Sequence, residues 1–149
     1  MMTIRTRRGF TLIELLMVMV VLAVLAAIVI PKFMDRGKQA KEAALKSDLK
    51  ILRNAIASFQ ADNGCYPLTL DDLTVSSAAG LSTASTGVDS GGNNVATTGT
   101  FHGPYIQGSV PNDPVSLSAF TYSTTSGSVG SVTSSASGTG IDGNAYSSY

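Results

Sequence analysis

An apolar run that opens at Phe10 and closes at Pro31 contains one charged residue, Glu14, and neither lysine nor arginine. Its roughly 21 largely apolar positions are close to the ~20 that an α-helix needs to cross a bilayer. A carboxylate near the bilayer interior costs about 2.5–3.5 kcal/mol on insertion scales, so it calls for a positive partner. The run itself supplies none. The simplest source is a new amino terminus, made by cutting after Gly9 and freeing the amine of Phe10.

Charge is as unevenly placed as hydrophobicity. All ten basic residues lie at or before Arg53, and six acidic residues follow it: Asp62, Asp71, Asp72, Asp89, Asp113 and Asp142. The later part of the chain is therefore acidic, which argues against binding a phosphate backbone, and no nucleic-acid partner is expected. Arg5, Arg7 and Arg8 precede the apolar run and favour a cytoplasmic start by the positive-inside rule. Everything after Pro31 then lies across the inner membrane. Cys65 is the sole cysteine, so an intramolecular disulfide is impossible. It reads as a partly buried small apolar residue at a helix end.

Beyond the run, Pro31 and Gly37 are two weak points in a helix, and a bend or meltable zone is expected between them. The segment Lys38–Ala61 is amphipathic. Leu45, Leu49, Leu52, Ile56 and Phe59 recur at spacings of four and three on one helical face, while Lys38, Lys41, Glu42, Lys46, Lys50 and Arg53 fall mostly elsewhere. Glu42 and Lys46 form a favourable i,i+4 pair. Asp62-Asn63-Gly64 ends the helix, with Gly64 just past its C-terminus. A helix over Phe10–Asn63 would measure roughly 80 Å at 1.5 Å per residue, a length suited to packing against copies of itself.

Composition then changes to Ser, Thr and Gly. A short helix is expected at Leu70–Leu73. Residues 76–100 read as a Ser/Thr/Gly-rich surface loop. Pro111-Asn112-Asp113-Pro114 and Asp142-Gly143 are turn signals. Phe120-Thr121-Tyr122 alternates as a strand, with Val129 and Val132 in its partner. The fold class is α+β: a long N-terminal α-helix, membrane-spanning in its first half, packed through its Leu45–Phe59 face on a small antiparallel sheet of two to four strands.

Gly9, then Phe10-Thr11-Leu12-Ile13-Glu14, then an apolar run closed by Pro31 resembles the class III signal of type IV prepilins and pseudopilins. An ordinary secretory signal peptide, with Ala23, Ala26 and Ala27 near its end, and a plain signal anchor are the competing readings. Glu14 sits badly in the first of these. The resemblance implies a prepilin peptidase that cuts after Gly9 and methylates the Phe10 amine. It implies a pilin-like fold, and a Glu14 that pairs with the terminal amine of a neighbouring subunit during assembly. Many pilins close a C-terminal loop with a Cys pair, which this chain lacks.

Asp62-Asn63-Gly64-Cys65-Tyr66-Pro67, then Gly103-Pro104-Tyr105-Ile106, then Val110-Pro111-Asn112-Asp113-Pro114 are similar to the major pseudopilin branch of the type II secretion system. That branch carries a C-terminal calcium loop. Here Gly138-Thr139-Gly140-Ile141-Asp142-Gly143 keeps its Gly-x-Asp-Gly end, but the Ser position is Gly138 and the upstream acidic position falls near Ser135. Calcium wants six to eight oxygens. Asp142 is its one candidate carboxylate ligand, and a plain Asp-Gly turn is the alternative. Should no ion bind, something else must hold the last loop.

No enzyme is expected. His102 is the only histidine, reads as a surface or turn residue, and forms no recognisable nucleophile motif with Cys65 or a serine. The division that follows is a leader at 1–9, a membrane and filament-core helix at 10–31, an amphipathic helix at 32–63, and a periplasmic β domain at 64–149 with its loop at 76–100. The resemblance implies a single-pass inner-membrane protein that assembles into a helical periplasmic homo-oligomer. Implied partners are the peptidase, an inner-membrane platform protein, a cytoplasmic ATPase and minor pseudopilins. The filament would help drive protein export, with Glu14 and Pro31 as assembly residues. A type IV pilin of a surface fibre (adhesion, motility or DNA uptake) and an anchored domain without an assembly role are the other readings.

Overall fold

A computed structural model describes residues 9–149 of the chain. The expected leader arginines Arg5, Arg7 and Arg8 lie outside the described residues. One helix, α1, runs over Leu12–Asn63. It stops where Gly64 adopts a positive φ of 72° and donates its N–H to the Gln60 carbonyl at 2.9 Å. A side chain is strained in that conformation, so the Asp-Asn-Gly ending has a mechanism. The chain remains helical through Pro31 and Gly37. No break in secondary structure marks the expected weak zone, because the hydrogen bond missing at a proline is a local defect that the flanking turns can bridge. The chain nevertheless divides just beyond it, into a unit ending at Lys38 and a unit over Gln39–Tyr149.

Among the described residues the first unit is helical from Leu12, and its apolar side chains from Leu12 to Ile30 are exposed. Its membrane-length stretch, Leu12–Ile30, has a mean hydropathy of 3.1. Nineteen residues at 1.5 Å rise reach about 28 Å, matching a hydrocarbon core of ~30 Å.

The second unit is built around the expected helical stripe. Leu45, Leu49, Leu52, Ile56 and Phe59 are all buried, and Leu73, Leu81, Ile106, Phe120, Val132 and Tyr146 close over them. Burying each such side chain contributes about 1.5–3 kcal/mol. Phe59, Phe101 and Tyr105 meet edge to face with ring centroids 5.4–6.1 Å apart. The short helix at Leu70–Leu73 forms as a 3-10 turn. Its Leu73 carbonyl accepts the N–H groups of Tyr105 and Ile106 at 2.8 and 2.9 Å, which seats the Gly-Pro-Tyr-Ile segment.

The single sheet expected from the sequence is replaced by two separate ribbons. Strands β1 (Thr86–Val88) and β2 (Asn94–Ala96) pair antiparallel, and β3 (Thr121–Tyr122) pairs with β4 (Val132–Thr133). Val129, expected in a strand, lies in the turn before β4. The β1–β2 hairpin falls inside the stretch read as a loop. What forms it is Asp89, whose carboxylate accepts the N–H groups of Gly91 and Asn93 at 2.8 and 2.9 Å and so folds the turn locally. Tyr66 and Val88 exchange two backbone hydrogen bonds of 2.8 Å, fastening the hairpin to the segment just after α1.

Candidate assembly site

Gly9 and Phe10 are both exposed, and a Cβ placed on Gly9 would meet nothing within 4 Å among the described residues. Glu14 occupies the first turn of α1. Its Oε2 accepts the Thr11 N–H at 2.9 Å and the Thr11 hydroxyl at 2.7 Å, while the Glu14 N–H reaches Thr11 Oγ1 at 3.3 Å. This is a reciprocal capping box, Thr at the cap and Glu three residues on. Oε1 takes part in none of these bonds. Thr11 was not singled out from the sequence, although the Thr-x-x-Glu spacing carries the signal. The helix N-terminus favours negative charge within its first turn, which adds to the local hold on the carboxylate. Behind it, Leu12, Ile13, Met17 and Met19 are 82, 70, 68 and 64 % exposed. So large an apolar surface does not stay in water.

The C-terminal loop presents the other candidate ligand. Asp142 Oδ1 accepts the Tyr149 hydroxyl and the Asn144 N–H, and Oδ2 lies 3.3 Å from Lys46 Nζ. The Tyr149 hydroxyl first, then the Asn144 amide and Lys46, working against desolvation, hold the Asp142 carboxyl down to about 2. The same bond, with desolvation and the charge on Asp142, pushes Tyr149 up to about 12. This set does not fit calcium. Both carboxylate oxygens are bonded to donors, an ammonium stands where a second cation would be repelled, and no group of three His, Cys, Asp or Glu gathers among the described residues. Glu42 and Lys46, read as a pair along the helix, each turn to this loop instead. Glu42 Oε1 accepts the Ile141 N–H and the Tyr146 hydroxyl, both at 2.9 Å.

His102 is exposed, with Nδ1 3.6 Å from Asp62 Oδ2. That oxygen also accepts the Tyr105 hydroxyl at 3.0 Å, and Asn63 Nδ2 donates to the same hydroxyl. The group ties the end of α1 to the Gly-Pro-Tyr segment. Cys65 is buried and free, its thiol pushed up by that burial. Glu14 lies in the first unit, and Asp142, His102 and Cys65 lie in the second.

A capped, membrane-length apolar helix continuing into a compact α+β unit defines a pilin-like fold. Residues 4–30 match the family described as prokaryotic N-terminal methylation motif, and residues 32–147 match the family described as type II secretion system (T2SS), protein G. The chain belongs to the T2SS protein G family. Among similar proteins are the type II secretion system core protein G of Pseudomonas aeruginosa (44 % identical over 69 residues, 46 % of this chain and 49 % of that protein) and of Klebsiella pneumoniae (40 % over 67 residues, 45 % and 48 %). The protein of the same name from Escherichia coli (strain K12) is 40 % identical over 67 residues, 45 % of this chain and 46 % of that protein. The chain thus spans about half the length of the curated relatives it matches. No solved structure matches it. The apolar helix and the methylation motif fit anchoring in the inner membrane.

Proposed function

We propose that the chain is a structural subunit of a type II secretion pseudopilus. After cleavage between Gly9 and Phe10 and methylation of the new amine, Glu14 receives that amine from an adjacent subunit. The apolar helices then pack in the filament core, with Pro31 at the end of the packed stretch. The unit over Gln39–Tyr149 lies on the periplasmic side. A platform protein, an ATPase and minor pseudopilins serve the growing filament, whose extension helps drive protein export. The role is one of assembly, not of catalysis.

The observation that carries this reading is a lone carboxylate at the head of an exposed apolar helix, held among the described residues by its own first turn. In a low-dielectric surrounding a charge so placed gains most from an opposite charge brought to it, and the amine freed at Phe10 is the nearest chemically available one. The test is Glu14→Ala. It should insert in the membrane and be cut after Gly9, as read by N-terminal mass spectrometry, yet give no fibres in membranes from overproducing cells. Fibres and secretion at the wild-type level in that variant count against the mechanism. A mature chain that still carries the residues before Phe10 counts against the class of protein.

A further inference from the structure

We propose that this chain closes its C-terminal loop with a clasp of side chains from α1 (Glu42, Lys46 and Arg53) and does so independently of calcium. The three residues are spaced by four and seven, so they line one face of the helix. Each grips a different point. Glu42, 6 % exposed, takes the Ile141 amide and the Tyr146 hydroxyl on one oxygen. Lys46 bonds Asp142 and also stands over the Tyr149 ring, 4.6 Å from its centroid, a cation–π distance. Arg53 donates to the Val132 carbonyl at 3.0 Å and to the main-chain oxygen of Tyr149, so one guanidinium joins β4 to the end of the loop.

The loop is closed on itself as well. Gly140 donates to the Asn144 carbonyl at 2.8 Å and Tyr146 to the Gly138 carbonyl at 3.1 Å. Tyr146 is itself buried in the core. Asp142 pairs with Lys46, Glu42 takes an amide and a hydroxyl, and Arg53 takes main-chain oxygens, so each charged group in the clasp has a partner without an added ion. A calcium ion at Asp142 would have to displace Lys46 and the Tyr149 hydroxyl, and would find no second carboxylate in the loop to replace them.

The test uses the full chain in detergent and follows amide hydrogen exchange over residues 138–149, with millimolar calcium chloride or with a chelator. Wild-type protection should be the same in both. Glu42→Gln should speed exchange of the Ile141 amide by about tenfold, the scale of a weakened bond to a charged acceptor. Lys46→Met should speed the Asn144 amide by roughly threefold, less because the pair is half-exposed. Neither effect should be rescued by calcium. Lys46 is a surface side chain, so its variant still reads the clasp if Glu42→Gln fails to fold. Greater protection of the wild-type loop in calcium overturns the proposal, as does unchanged exchange in Lys46→Met. These readouts concern the fold alone, and stand or fall apart from filament assembly.

Discussion

Asp113 is fully buried, and its carboxylate organises two segments at once. Oδ1 accepts the N–H groups of Val115 and Ser116 at 2.7 and 3.2 Å, and Oδ2 accepts the Ser134 hydroxyl at 2.5 Å and the Ser135 N–H at 3.1 Å. Asp113→Ala removes all four bonds. Ser135 is an exposed residue, and its part-buried amide can turn to water. Ser134 is 3 % exposed and cannot, and Val115 and Ser116 are half-buried. A buried donor left without a partner costs about 1–3 kcal/mol and a half-buried one less, so the total loss is about 3 kcal/mol. Unfolding entropy is about 2.1 cal/mol/K per residue over the roughly 110 residues of Gln39–Tyr149, which makes this a fall in Tm of about 13 °C.

The assay is near-UV circular dichroism of the tyrosines during heating. All five lie after Asn63, so α1 in its micelle does not mask the transition. The pH dependence supplies a second reading. Burial acts to raise the Asp113 carboxyl, but the Ser134 hydroxyl and the three amides outweigh it and hold the pKa below the usual carboxylate range. A depressed folded pKa contributes stability that is complete above the unfolded value of about 3.9 and is lost as pH falls through the folded one. The deficit of Asp113→Ala should therefore shrink below about pH 4. Asp48 moves oppositely, raised first by desolvation and then by the charge on Asp113, and in the variant should lose only the smaller part owed to that charge. A melting point within about 2 °C of wild type at neutral pH refutes the reasoning, because four bonds to a buried charge cannot be that weak.

Thr11→Ala removes the hydroxyl side of the capping box; at about 1 kcal/mol for such a cap, the Glu14 amide should exchange about fivefold faster while membrane insertion is unchanged. An unaltered Glu14 amide would show that the box does not form in the membrane. Gly99→Ala should destabilise the second unit by more than ~3 kcal/mol, since its Cβ would lie 1.6 Å from the Asp62 carbonyl oxygen, and main chain cannot step aside as a side chain can; thermal melting reads it, and a variant of wild-type stability disproves the close approach. Cys65, 2 % exposed with its thiol raised by burial, should react with a maleimide at least about a hundredfold more slowly in the native chain than in denaturant. Comparable rates would mean that the hairpin over it opens freely.

The apolar parts of this fold were legible because their signals are periodic. A stripe at spacings of four and three can form only one helical face, and the run from Phe10 to Pro31 has one environment that suits it. The Asp-Asn-Gly stop followed from the positive φ that glycine permits. The β regions were less legible. Strands of two or three residues carry no period long enough to recognise, so Asn94–Ala96 looked like the loop around it. The pairing of Glu42 with Lys46 was sound for an isolated helix, but a loop about 100 positions away offers each a better partner. Spacing along a chain holds no information about such contacts. At the assembly end the carboxylate was evident from its rarity. Its Thr11 partner was written in the same five residues as a capping pattern and was passed over because the apolar run dominates them.

The acidic later half of the chain takes on a different meaning once its carboxylates are located. It looked like a charged outer face. Yet Asp72 is buried, accepting the Thr69 amide at 2.8 Å and both the amide and hydroxyl of Ser82 at 2.6 and 2.7 Å. Asp89 folds the β1–β2 turn, Asp113 joins two segments, and Asp142 anchors the last loop. A Ser/Thr/Gly-rich sequence has few large apolar side chains to bury, so its loops cannot be fixed by hydrophobic contact alone. It does have many hydroxyls and accessible N–H groups, and a carboxylate can accept several of them at once. In such a sequence an aspartate organises a loop as a leucine organises a helix face. Glu42, Lys46 and Arg53 extend the same logic to α1: each lies three positions before a core residue, Leu45, Leu49 and Ile56. The polar row thus runs along the rim of the apolar one, where it can bond loops that the apolar row cannot hold. Of the six aspartates after Arg53, only those reaching solvent contribute to the outer field, and the two that are buried contribute to the fold.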